Sequence, residues 1–332
     1  MKILVLGGGS IGKRHIKNLL SAIDSKQQVF VVEPKLERQR EIINLGVAQE
    51  NIFNSRDDAL KSNQYTGAII ATPTSMHYED AFALVTHGCH MMIEKPLGID
   101  ASHSEQLEKK AREKNIFIFT AYCFRFDPVA NKFHQLIKEG IVGKPLYARA
   151  EMSTYLPDWH PHEDYRTFYM AKKVLGGGTL LDQSHLYDMT QWFFGDFSSV
   201  FGITKKHSDL EIETDDFGEF IFNMKSNIKV SIHIDLFTRP WREFYQVTGE
   251  KGTLLWDIHT RKIILEHTDN KREVVMEGAD YNQMYINELD YFLKQLKEPG
   301  KVSGPKYIEG KRVVEIIDAI RQSSAEGKLI QV

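Results

Sequence analysis

The chain is short of the features that mark membrane, secreted and nucleic-acid-binding proteins. No apolar run in its 332 residues approaches a membrane span, and Met1 leads straight into an apolar strand, so a cytoplasmic location is expected. Cysteine is scarce. Cys89 and Cys123 lack metal-ligand spacing, and in a reducing compartment both are expected as thiols buried as small hydrophobes, with Cys123 following a strand where it could line a site. Neither sign of charge dominates: 42 Lys and Arg against 45 Asp and Glu, a net −3, exclude the basic surplus of a nucleic-acid binder and an acidic tail. The expected partner is a small molecule, with no nucleic acid and no membrane. Internal repeats, low-complexity segments and long linkers are also missing. The length exceeds one typical core and predicts two domains, each able to bury an apolar interior.

What is present begins with Ile3-Leu4-Val5-Leu6, a fully apolar strand, followed by Gly7-Gly8-Gly9-Ser10-Ile11-Gly12 and an amphipathic run through Leu20. This is strand, G-x-G-x-x-G, helix. Gly7 permits the tight turn, Gly9 lets the backbone approach a pyrophosphate, and Gly12 allows close helix–strand packing. The helix N-terminus at Ser10 and Ile11 offers free N–H groups and a positive dipole end to the anion. A second strand, Gln28 to Val32, ends in Glu33, about twenty residues past the last glycine, where a carboxylate binds the adenosine ribose hydroxyls. Such a carboxylate repels a 2′-phosphate, which favours NAD over NADP, although Lys35 and Arg38 soften the choice. The alternative for Glu33 is a turn residue before Pro34.

Helix and strand patterns then alternate up to the strand Ile116 to Thr120, which predicts a parallel, doubly wound sheet with right-handed crossovers. Ligands of such sheets lie at the carboxyl ends of the strands, so the residues there matter most: Thr72-Pro73-Thr74, Glu94-Lys95-Pro96 and Tyr122 to Arg125. Lys95 is a cation that could polarise a substrate oxygen or relay its proton; the alternative is a lysine paired with Glu94. From about Asp127 the pattern changes. A helix, a strand from Leu146 to Thr154, a helix from Leu180 to Phe194 and a series of strands with short turns predict an α+β domain with a largely antiparallel sheet.

Two segments of that domain carry chemistry. Gly176-Gly177-Gly178 enters a helix on which Asp182, His185 and Asp188 recur at intervals of three and share one face, a pattern suited to a histidine general base oriented by carboxylates. A structural histidine near a helix N-terminus competes with that reading. The segment Tyr155 to Arg166 is unusually aromatic and polar: Trp159 and Tyr165 could pack on sugar faces, His160 could bind hydroxyls and Arg166 a phosphate or carboxylate, unless the segment is a rigid cover for the sheet. Adjacency of its His and acidic residues does not imply a metal site, and none is expected.

Taken together, Gly7 to Gly12, Ala71 to His77, Glu94-Lys95-Pro96, Arg125-Phe126-Asp127-Pro128 and the Gly-Gly-Gly…Ser184-His185-Leu186-Tyr187-Asp188 helix resemble the Gfo/Idh/MocA family of NAD(P)-dependent oxidoreductases over essentially the whole chain. The resemblance implies a Rossmann domain over 1–122 and a substrate-binding, oligomerising α+β domain with an open sheet over 123–332. It implies that Lys95 and His185 are the catalytic pair, that a cis peptide precedes Pro96, and that the second sheet mediates a homodimer or homotetramer. Thr72, Pro73, His77, Glu94 and Lys95 join the glycine turn and Glu33 as cofactor-contact positions, and Arg125 and Asp188 join the aromatic segment on the substrate side. One departure stands out: many members carry an aspartate four residues before the histidine, and Leu181 occupies that position here, with Asp182 next to it. The expected reaction is hydride transfer between nicotinamide and a secondary alcohol or ketone of a sugar or sugar nucleotide. Its alternatives are an inositol or polyol dehydrogenase and a non-catalytic dinucleotide-binding regulator.

Overall fold

The computed structural model describes every residue except Asp24, His160 and Ala279. In chain order its first part contains β1 (Ile3–Leu6), α1 (Ser10–Ala22), β2 (Val29–Val32), α2 (Leu36–Leu45), β3 (Ile52–Phe53), α3 (Arg56–Ser62), β4 (Gly67–Ile70), α4 (His77–Thr86), β5 (His90–Glu94), α5 (Ser104–Glu113) and β6 (Ile118–Ala121). These six strands form one parallel sheet in the order β3-β2-β1-β4-β5-β6. The order reverses between β1 and β4, and that switch point is where a doubly wound sheet opens a crevice at its carboxyl edge. β1 is buried along its whole length, which is why it reads as an unbroken apolar run rather than an alternating one. β3 is only two residues long and α3 only seven, too short to leave a periodic signal; Ser55 nevertheless caps α3 by accepting from the Asp58 N–H.

The second part contains α6 (Pro128–Lys138), β7 (Pro145–Tyr155), α7 (Thr179–Asp182), α8 (His185–Phe194), β8 (Phe197–Lys205), β9 (Phe217–Met224), β10 (Lys229–Asp235), β11 (Phe237–Gly249), β12 (Gly252–Asp257), β13 (Lys262–His267), β14 (Arg272–Glu277), α9 (Gln283–Lys297), α10 (Tyr307–Glu326) and β15 (Ile330–Gln331). Its nine strands run β14-β13-β12-β11-β7-β10-β9-β8-β15, antiparallel except where β10 pairs with β7. Alternation is clean. Phe220, Phe222, Ile232, Tyr245 and Trp256 are buried, whereas Tyr147, Phe201, Ile203 and Ile221 lie exposed at the alternate positions of their strands. Among the described residues no helix is long and apolar enough to cross a membrane.

The chain divides into two compact units, 1–123 with 285–314, and 124–284 with 315–332. Residues 285–314 pack with the first unit although they lie far from the rest of it in sequence. Gly67 of β4 faces Leu296 and Phe292 so closely that an added Cβ would lie 2.7 Å from Leu296, and Phe119 of β6 meets the Tyr291 ring edge-on at 5.2 Å. Apolar surface on the far side of β4 and β6 thus finds its cover late in the chain, and local periodicity cannot register such a contact.

Candidate functional site

In the first unit the glycine turn is shaped by contact rather than by preference. Gly7 has φ +98°, and a Cβ there would come within 2.4 Å of the Ala71 carbonyl oxygen; one at Gly12 would lie 2.0 Å from the carbonyl oxygen of Gly7. Gly9, by contrast, faces open space, as required where a ligand's phosphates approach the backbone. Gly9 is the N-cap of α1 and no side chain caps the helix, so the first-turn N–H groups of Ser10, Ile11 and Gly12 are left to an anion. These features fit a dinucleotide pyrophosphate.

Glu33 follows β2 as expected but is 2% exposed. Its Oε2 accepts the Gly8 N–H at 2.9 Å and its Oε1 the Lys35 N–H at 2.9 Å, with Arg38 Nη1 3.8 Å from Oε2. The carboxylate therefore ties the glycine turn to the end of β2, and each oxygen keeps lone-pair capacity for a ribose hydroxyl. Beyond β4, Thr72 Oγ1 donates to Asp80 at 2.7 Å, and Pro73 begins the short turn into α4. His77 is buried; its Nδ1 lies 2.9 Å from the Pro96 carbonyl oxygen and its Nε2 3.0 Å from that of Thr72. Burial, opposed by these carbonyls, lowers its pKa, so the neutral ring donates to one carbonyl at a time and braces the loops after β4 and β5.

Lys95 follows β5 and is partly buried, with a cis peptide to Pro96. Next to it Glu94 is fixed from both sides: Oε1 is 2.6 Å from His15 Nε2, and Oε2 accepts the Lys95 N–H at 3.2 Å. His15, on the third residue after the glycine fingerprint, is fully buried. No local pattern marks it, because its functional neighbour lies 79 residues away.

In the second unit the predicted continuous helix is broken. α7 ends at Asp182 and α8 starts at His185, with Gln183 and Ser184 in a tight turn between them, so Asp182 and His185 do not share one helical face. The entry to α7 is held by Gly178 at φ +108° and by Asp215, whose Oδ2 accepts the Leu180 N–H at 2.7 Å. Partly exposed His185 packs edge-on against Phe124 at 5.0 Å. Asp182 accepts from the Tyr169 hydroxyl. Asp188 is fully buried and accepts from Arg125 Nε at 3.0 and 2.8 Å. These two residues, expected on the substrate side, are bound to each other and anchor α8 below His185.

The aromatic segment is mostly a cover. Trp159 and Tyr165 pack on a small core of Leu156, Met170, Leu210 and Leu236, and Trp159 Nε1 donates to Thr154 at 2.9 Å. Arg166 is exposed but already paired with Asp164 and Glu211, both at 2.8 Å. His160 lies outside the described residues.

Glu243 on β11 is a carboxyl group that no local pattern in the sequence singles out. Burial pushes its carboxyl up; His259 opposes the shift, while the nearby charges of Asp257 and Asp182 reinforce it.

An open phosphate cradle at an uncapped helix and a lysine at the carboxyl edge of the same sheet define a dinucleotide-dependent oxidoreductase. Comparison with known proteins gives its family. Residues 1–122 match the model of the oxidoreductase family with an NAD-binding Rossmann fold, and residues 130–255 match the GFO/IDH/MocA C-terminal domain. The chain belongs to the Gfo/Idh/MocA family. It is 25% identical over 345 residues to myo-inositol 2-dehydrogenase of Thermotoga maritima, covering 100% of this chain and 98% of that protein. A levoglucosan dehydrogenase solved with NADH has the same fold, with TM-score 0.86 at 21% identity over 100% of this chain and 99% of the other. So has the WlbA dehydrogenase of Bordetella pertussis, solved with NADH and UDP-GlcNAcA, with TM-score 0.81 at 20% identity over 100% and 98% of the chains.

Proposed function

We propose that this protein interconverts a secondary alcohol and a ketone on a sugar, sugar nucleotide or related polyol, with NAD as the preferred partner. The observation that carries the reading is Lys95, held beside the His15–Glu94 pair at the carboxyl end of β5 in the unit that bears the phosphate cradle. Gly7, Gly9, Ser10, Ile11 and Gly12 hold the pyrophosphate, Glu33 receives the ribose hydroxyls, and Thr72, Pro73, His77, Glu94 and Lys95 shape the nicotinamide side. The cofactor, when bound, supplies hydride transfer.

The chain's own groups handle the proton. In the oxidative direction His185 takes the hydroxyl proton at a ring nitrogen, while the Lys95 ammonium stabilises the negative charge developing on the same oxygen; reduction uses the two in reverse. Asp182 assists His185 through the charge it places near that part of the second unit. The carbohydrate class is supported by the inositol and levoglucosan dehydrogenases among the relatives. Because Arg166 is balanced by Asp164 and Glu211, an anionic group on the substrate has less support than a neutral ring. The exposed apolar residues of the open sheet support a homodimer or homotetramer, and two free buried thiols accord with a cytoplasmic setting. Replacing Lys95 with Met, or His185 with Ala, should reduce turnover by about two orders of magnitude or more while NADH fluorescence titration still reports binding. Turnover near wild type in either variant sinks the assignment.

A further inference from the structure

Glu288, on α9, is fully buried in the first unit, and neither of its carboxyl oxygens has a hydrogen-bond partner. It shares its surroundings with a second carboxyl group. Glu94, itself 8% exposed, interacts with it electrostatically, and Glu94 alone has the contacts of a charged group: the His15 ring at 2.6 Å and the Lys95 N–H at 3.2 Å. Two carboxylates in one water-poor region cannot both ionise without large cost, and the one without donors keeps its proton.

The surrounding groups make this a connected cluster. Burial pushes the thiol of Cys123, just past β6, up; Glu288 and Glu94 are its acidic neighbours, while Tyr285, one turn before Glu288, and Lys95 act against the shift. The Tyr285 ring meets His15 edge-on at 6.4 Å, and the Arg14 guanidinium lies 4.4 Å over that ring. Thus α1, the ends of β5 and β6, and α9 meet around two glutamates, and Lys95 adjoins them along the chain.

We propose that Glu288 is a positioning residue for Lys95: a buried neutral acid that leaves Glu94 as the single negative charge beside the lysine and His15. The assignment rests on the oxidoreductase reading for its consequence, not for its protonation state. Burial first, and the Glu94 charge second, hold Glu288 well above the usual carboxylate range. Ionisation of Glu288 at alkaline pH adds a second negative charge to the cluster, which disturbs the Glu94–His15 contact and with it the end of β5 that carries Lys95.

The test is Glu288→Gln, which keeps the shape and fixes neutrality, with Glu288→Leu as the substitute if the amide does not fold. Urea unfolding from pH 5 to 8 gives a readout independent of activity. A native carboxyl that stays protonated while its unfolded counterpart ionises makes the unfolding constant of wild type, relative to the variant, rise by up to about tenfold per pH unit. A ratio that does not change with pH overturns the neutral acid. The second readout is the pH profile of turnover followed at the NADH band: the alkaline fall of kcat should move up by about one unit or more in Glu288→Gln. An unmoved profile overturns the positioning role. Absence of turnover in wild type at every pH sinks the oxidoreductase reading and the positioning role with it, while the unfolding ratio still decides the protonation state.

Discussion

Arg125 and Asp188 provide the sharpest stability prediction, because their residue types suggested ligand binding and their geometry assigns them to each other. The side chains are 9% and 1% exposed, and the guanidinium Nε contacts both carboxylate oxygens, at 3.0 and 2.8 Å. The same guanidinium lies 5.6 Å from the Trp192 ring centroid. Arg125→Met removes charge-assisted hydrogen bonds of about 1.5–3 kcal/mol and leaves Asp188 buried with its main cation gone. Breaking one side of a buried pair costs about 3–5 kcal/mol, whereas replacing both partners by apolar groups is often close to neutral. Urea unfolding followed by tryptophan fluorescence should therefore show a loss of about 3–5 kcal/mol for Arg125→Met and recovery of most of it in Arg125→Met/Asp188→Leu. A single-variant loss below about 1 kcal/mol, or losses that simply add in the double variant, would refute the structural role.

Other expectations follow from the same contacts. Gly12→Val should abolish NADH binding and lower stability, since even a Cβ would sit 2.0 Å from the Gly7 carbonyl oxygen; a fluorescence titration indistinguishable from wild type would count against the cradle. His233, between Glu219 at 2.7 Å and Asp235 at 2.9 Å, has its pKa raised to about 9 by these two carboxylates. A raised histidine pKa stabilises the fold fully below the unfolded value of about 6.5 and ceases to do so as pH rises through about 9. His233→Asn should therefore be less stable than wild type at pH 6, and the gap should close by about pH 10; a gap that widens with pH contradicts the pairing. Ile221→Glu, on the open sheet face at a position 46% exposed, should shift size-exclusion elution toward the monomer without altering far-UV circular dichroism, and an unchanged elution would remove that face from the assembly.

The parts of this protein written into the sequence are those that local periodicity or local sterics specify. β1 is buried on both faces and reads as apolar throughout, and the turn after it needs glycine at Gly7 and Gly12 for reasons visible within ten residues and one neighbouring strand. The alternation of helices and strands, and the hairpins β9–β10, β11–β12 and β12–β13, were legible in the same way. Contacts made across the chain were not. His15 meets Glu94, Glu288 shares their surroundings, and residues 285–314 pack with the first unit; none of these pairings leaves a mark in a local window. The helix around His185 shows the opposite failure, because intervals of three suggested one face where Gln183 and Ser184 interrupt the helix. The Tyr155–Arg166 segment has the composition of a sugar-binding surface, yet its described aromatics serve largely as a packed cover.

The central claim is hydride exchange between a nicotinamide and a carbohydrate alcohol, with Lys95 and His185 handling the proton. The most direct measurement is absorbance at the NADH band with wild-type protein across free sugars, cyclitols and nucleotide sugars, with NAD and NADP run in parallel. Turnover with at least one member of the panel, faster with NAD than with NADP, is the predicted result. Tight NADH binding without turnover of any member would contradict the claim and point instead to a dinucleotide-binding regulator.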